Sequence, residues 1–349
     1  MRRRIAWLDS AKGLGIIALL LFHAPGPQRL MDYISSFNMP LFFVISGYLF
    51  SLKKYEPADF LKRRIRSLVV PYFIFCAALL AFWVVFENLS EGKGLPDIPA
   101  AVSAIVYSCG QYMSGKDMIA VAAPLWFVTC LFVVEVGFFW LKRLLPRPRQ
   151  VVLALLPLSI AGFLLADGRV AFRMPWGIDI ALTAIVFYAA GYATGNISVP
   201  IAPRSPALKL IAAVAALAAG AGFCALNGPV SYNNMIYHNY FLLYLAAFGG
   251  IIGYALIAQL LHEFKPLLFL GRNTLLIFGF HLAGYHVINR ILRFARVSTD
   301  LTVLWGFAYA AACVALLLPL IYFLNRYLPF AVGKQKQRPA SEFAEVKAK

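Results

Sequence analysis

The sequence predicts an all-α fold, a polytopic integral membrane bundle of about ten transmembrane helices with both termini in the cytoplasm. Three observations support it. Of 349 residues, 61% are hydrophobic and 13% charged, with a mean hydropathy of +0.75; a soluble domain is about half apolar and a quarter charged. Apolar windows near the length that crosses a hydrocarbon core recur along the whole chain. Lysine and arginine fall in short runs between those windows, as a cytoplasmic topology signal does.

In order, the windows are 5–24, 35–52, 66–87, 121–142, 150–166, 177–195, 207–226, 239–261, 266–288 and 301–325. Arg2, Arg3 and Arg4 ahead of the first suggest a signal peptide. Asp9 and Lys12 interrupt its front, however, and Ala24-Pro25-Gly26 makes a poor cleavage site, so a retained helix is expected. Alternate loops then carry the basic residues: Lys53 to Arg66, Lys142 to Arg149, Arg204 with Lys209, Lys265, and the tail from Lys334 to Lys349. The opposite loops are poorer, with mixed charge in 88–118 and none in 227–238. Arg290, Arg293 and Arg296 break the alternation. Either the window count fails there, or these arginines hold an anionic glycan or lipid headgroup outside. The expected division is a transmembrane domain, 1–328, and a short polar cytoplasmic tail, 329–349.

The formal net charge of +17 points to membrane topology rather than nucleic acid, because the charge is dispersed. Cys76, Cys109, Cys130, Cys224 and Cys313 are scattered without metal-ligand or disulfide spacing, so neither a metal nor a disulfide framework is expected. No internal repeat is found, which weighs against inverted-repeat transporters.

Polar residues inside the windows mark the candidate chemistry, since intramembrane charge is costly unless it faces protein or a watery cavity. Lys12 and His23, eleven residues apart, are three helical turns and about 16 Å apart on one face, with Asp9 one turn before. His23 is poised to move protons; an interfacial histidine at a helix end is the plainer alternative. Phe37-Asn38-Met39-Pro40-Leu41-Phe42-Phe43-Val44-Ile45-Ser46-Gly47-Tyr48 offers Asn38, and Ser46-Gly47 permits close helix approach. In Lys62-Arg63-Arg64-Ile65-Arg66, Arg63 and Arg66 share a helix face and suit a phosphorylated donor, or else anchor the helix to lipid phosphates. Leu125-Trp126-Phe127 precedes an intramembrane Glu135, and Leu270-Gly271-Arg272-Asn273-Thr274 precedes an intramembrane His281. His286 and Asn289 extend that polar side, whereas His238 and His262 read as interfacial.

Together and in this order, these segments resemble the acyltransferase 3 family of membrane O-acyltransferases, over about residues 5 to 325. The match rests on Lys12-x10-His23, the Phe-Phe-x-x-Ser-Gly-Tyr run, Arg63-x-x-Arg66 before Pro71-Tyr72, Leu125-Trp126-Phe127, and Leu270 to Thr274 followed by His281. Many relatives carry Arg at the Lys12 position. The resemblance implies a stand-alone enzyme, nearest to fucose 4-O-acetylase-like and surface-polysaccharide acetylases. It would move an acyl group, usually acetyl from acetyl-CoA, to a glycan hydroxyl, in a membrane expected to be the bacterial cytoplasmic (inner) one. It implies His23, Lys12 and Asp9 as catalytic and Arg63, Arg66, Lys12 and Ser46 as donor-binding. Asn38, Trp126, Glu135, His281 and Arg290 are the candidates for holding substrate, and lipid and glycan are the expected partners. A glycan or small-anion transporter, and an acyltransferase-like binding subunit without catalysis, are the rival readings.

Overall fold

The ten apolar windows each meet a helix in the computed structural model, which describes residues 5–52, 56–89, 97–109, 120–169, 172–195, 205–298 and 302–334. Expectations resting on Arg2 to Arg4, Lys53, Lys54, Arg204, much of loop 88–118 and the tail beyond Lys334 lie outside the described residues. Among the described residues twelve helices follow one another: α1 Ala6–His23, α2 Gln28–Tyr48, α3 Pro57–Phe86, α4 Ile98–Tyr107, α5 Trp126–Leu144, α6 Pro148–Leu164, α7 Ile178–Gly195, α8 Pro206–Asn227, α9 Tyr240–Leu260, α10 Lys265–Arg272, α11 Thr274–Phe294 and α12 Val303–Tyr327. Among the described residues the only bridge of β type is the isolated pair Ser231–Ile236.

Eight of these are long and apolar enough to cross a membrane, namely α1, α3, α5, α7, α8, α9, α11 and α12. The other two expected spans are α2, whose first turns carry Gln28, Arg29 and Asp32, and α6, which has only 17 residues. α1 packs against α2, α9, α10, α11 and α12, so its polar stripe is surrounded by protein. On that stripe, between Lys12 and His23, Ile16 and Leu19 are buried.

Glycines set the closest approaches. A Cβ at Gly47 would lie 1.9 Å from the Tyr188 carbonyl, and one at Gly191 2.0 Å from that of Val44, so α2 and α7 meet backbone to backbone. Gly13 and Gly271 do the same where α10 crosses α1, against Leu267 and Asp9. Ser46-Gly47 is therefore a packing seam for α7, in keeping with small residues at membrane helix interfaces.

Three boundaries differ from those read in the sequence. Window 266–288 is two helices, broken at Asn273, whose side chain and that of Thr274 turn back to the Phe269 and Gly271 carbonyls. The membrane-crossing part thus shifts to Thr274–Phe294, and Arg290 and Arg293 belong to the end of α11 rather than to a loop. Window 66–87 extends back to Pro57, which placed as an N-terminal residue of the helix costs no hydrogen bond, so Arg63, Arg64 and Arg66 are helical. A π turn, Ile65–Val69, falls within this arginine run. Loop 88–118 also holds a helix, α4, capped by the Asp97 side chain on the Ala100 N–H.

Candidate active site

The chain direction sorts the polar residues of the bundle into two ends. His23 closes α1, and Trp126 opens α5 on the same side. Lys12 lies about 16 Å back along α1, and Glu135, nine residues into α5, about 14 Å from Trp126.

At the His23 end there is a cavity of about 320 Å³. Its wall is built from Leu19, Phe22 and His23 of α1, Ser35, Asn38 and Met39 of α2, Trp126 of α5, Phe278 and Leu282 of α11, and the loop Val230 to Asn234. Asn38 is buried, and its Oδ1 has no hydrogen-bond partner among the described residues. Behind His23 stands His281, fully buried, with ring centroids 4.9 Å apart. Its Nδ1 bonds the Phe278 carbonyl at 2.8 Å, while its Nε2 is buried without a hydrogen-bond partner among the described residues. A second, more open cleft of about 620 Å³ reaches His23 from the side of Gln28, Met31, Asn289 and Tyr309. Tyr309 donates to Asn289, and Tyr285 donates to the Leu20 carbonyl at 2.8 Å, which ties α11 to α1 beside both histidines.

A cross-linked cap lies over the cavity. Asp167 accepts the Tyr237 and His238 backbone N–H groups at 2.7 and 3.2 Å. Arg173 pairs with Asp179 at 2.7 Å and donates to the Asn233 carbonyl at 2.7 Å. Burial pushes the Tyr232 and Tyr237 hydroxyls well above the usual tyrosine range, so both stay protonated; Tyr232 donates to the Ser36 carbonyl at 3.2 Å. Ser108, Asp167, Trp176, Met235 and His238 all have left-handed backbone near this end. Each such residue costs about 1 kcal/mol or more and persists only where surrounding contacts over-determine it.

The opposite end is ionic. Asp9 pairs with Arg272 at 3.4 Å, and Glu135 with Arg64 at 3.0 Å. Lys12 is half-buried one turn beyond Asp9, and Ser46 half-buried beside the α2–α7 seam. Arg63 and Arg66 are exposed on α3. The structure therefore brings His23, Asn38, Trp126 and His281 together, and gathers Asp9, Lys12, Ser46, Arg63, Arg66 and Glu135 toward the other end. Arg290 joins neither group; its guanidinium donates to the Phe86 carbonyl at 2.7 Å, bracing α11 against α3, while His286 faces Trp83.

A family model described as an acyltransferase domain matches residues 5–324, all but the edges of the chain. The chain belongs to the acyltransferase 3 family. Searches of the curated proteins and of solved structures return no match. Membership makes the chain a multi-pass membrane acyltransferase. One residue of this acyltransferase's site escaped the sequence reading. Arg64 was overlooked for its neighbours at i, i+3, although an intramembrane Glu135 demands a cation. The loop Val230 to Asn234, in contrast, lies within 227–238, an uncharged outer stretch from which the sequence leads one to expect acceptor recognition, and it does line the cavity.

Proposed function

We propose that this acyltransferase moves an acetyl group from cytoplasmic acetyl-CoA to a hydroxyl of a cell-surface or lipid-linked glycan. The observation that carries the reading is His23, with no hydrogen-bond partner of its own among the described residues, set in the wall between a cavity and a cleft and three turns from a basic end. The coenzyme's phosphates dock on Arg63 and Arg66, whose guanidinium groups suit phosphate bidentately. The thioester arm runs inward past Lys12 and Ser46, a span comparable to extended pantetheine. The acceptor hydroxyl enters beneath the Tyr232–Asn234 loop.

His23 takes the hydroxyl proton as the oxygen attacks the thioester carbonyl. The C–O bond forms and the C–S bond breaks. The coenzyme thiolate leaves and takes the proton back from the imidazolium, so charge balances. Asn38, in the cavity wall, uses its side-chain N–H to donate to the carbonyl oxygen as it gains charge. Trp126 and Phe278 exclude water from the acyl group. No step calls for a metal.

The test follows label from acetyl-CoA into membrane glycan with the unaltered chain and with His23→Ala. Label that depends on His23 supports transfer. Glycan moved across the membrane without label would mark a transporter instead.

A further inference from the structure

We infer that His281 is a positioning residue for His23, the two forming a histidine pair in which His281 Nε2 accepts a ring N–H of His23 and so presents the other ring nitrogen to the acceptor hydroxyl. The inference rests on the acyl-transfer reading above and adds a role to the site. His281 is fully buried, and its Nδ1 lies 2.8 Å from the Phe278 carbonyl, which can only accept. That bond fixes Nδ1 as the protonated nitrogen and leaves a lone pair on Nε2. Nε2 is buried and has no hydrogen-bond partner among the described residues, a state that costs about 1–3 kcal/mol unless something donates to it.

Its ring neighbours narrow the donor. Phe278 has no polar hydrogen, and the Tyr285 hydroxyl is spent on Leu20. His23 remains, with its ring centroid 4.9 Å away and no hydrogen bond of its own among the described residues. At that separation two imidazole edges can meet after a small side-chain rotation. The Tyr285–Leu20 bond holds α11 and α1 at this spacing. When His23 accepts the hydroxyl proton, the lone pair of His281 stabilises the imidazolium without taking its proton. This is the part an orienting carboxylate plays in a serine hydrolase triad, played here by a neutral group suited to an apolar site.

The experiment uses expressing membranes and labelled acetyl-CoA, with label fixed in the cells' own glycan as readout, for the unaltered chain, His281→Ala and His281→Gln. His281→Ala should lower the maximal rate about 100-fold or more and leave the acetyl-CoA KM within about twofold, a split not expected of a donor-binding role. His281→Gln, whose side-chain carbonyl can accept from His23, should recover at least tenfold of that loss. An unchanged rate in His281→Ala overturns the pair. So does a glutamine variant no better than alanine, or loss of both variants from the membrane, since either makes His281 a packing residue. Absence of label with the unaltered chain instead sinks the acyl-transfer reading, and the pair with it.

Discussion

Glu135 and Arg64 show how a single residue inside this bundle is held. Glu135 is nearly inaccessible, and Arg64 satisfies its charge at 3.0 Å while keeping 28% of its own side chain exposed. Removing one partner strands the other. Glu135→Ala should therefore destabilise the protein by about 3 kcal/mol, the lower end of the range for broken buried pairs because Arg64 can turn toward solvent. The double change Glu135→Leu with Arg64→Met should restore most of that loss, read as thermal unfolding in detergent. His23→Ala belongs to the opposite class: transfer should fall by about 10²–10⁴, with accumulation in membranes unchanged because the Tyr285–Leu20 bond still ties α11 to α1. At this scale the sequence was readable wherever a polar residue stood in an apolar window, as with His23, Asn38, Glu135 and His281. Partners were not readable, since pairing Asp9 with Arg272 depends on how α10 crosses α1.

Among elements, the glycine seams decide which helices touch. Gly47 and Gly191 face each other's helix backbone, so a methyl group at either position collides with a carbonyl that cannot move without parting α2 from α7. Gly47→Ala should cost about 1–3 kcal/mol, and because α2 also carries Asn38, activity should fall further than stability alone explains. Gly137, with nothing near its would-be Cβ, is the control: Gly137→Ala should be neutral or mildly stabilising. That each apolar window holds a helix was legible from window length alone. The helix ends were not. The break at Asn273 comes from side chains turning back on their own carbonyls, and the early start of α3 from Pro57, local effects that an apolar window averages away. That averaging is why Arg290 and Arg293 were read as a loop.

For the whole molecule, the two polar ends impose a direction. Helices α1, α2 and α5 each carry one polar group near the cavity and another about 12–16 Å along the axis. The basic end belongs in the cytoplasm if lysine and arginine excess sets orientation, and a donor made in the cytoplasm then meets Arg63 and Arg66 first. Arg63→Ala with Arg66→Ala should raise the acetyl-CoA KM at least tenfold and leave acceptor use unchanged; equal effects on both would make the arginines a lipid anchor. Orientation itself can be read independently of activity. All five native cysteines are buried, so the unaltered chain should resist a membrane-impermeant thiol reagent. Asn234→Cys, in the exposed part of the cap, should label in intact cells. Lys62→Cys, exposed on α3 beside Arg63, should label only after the membrane is opened. The reverse pattern would put the cavity mouth on the cytoplasmic side and remove the route by which a cytoplasmic donor reaches His23 through the length of the bundle.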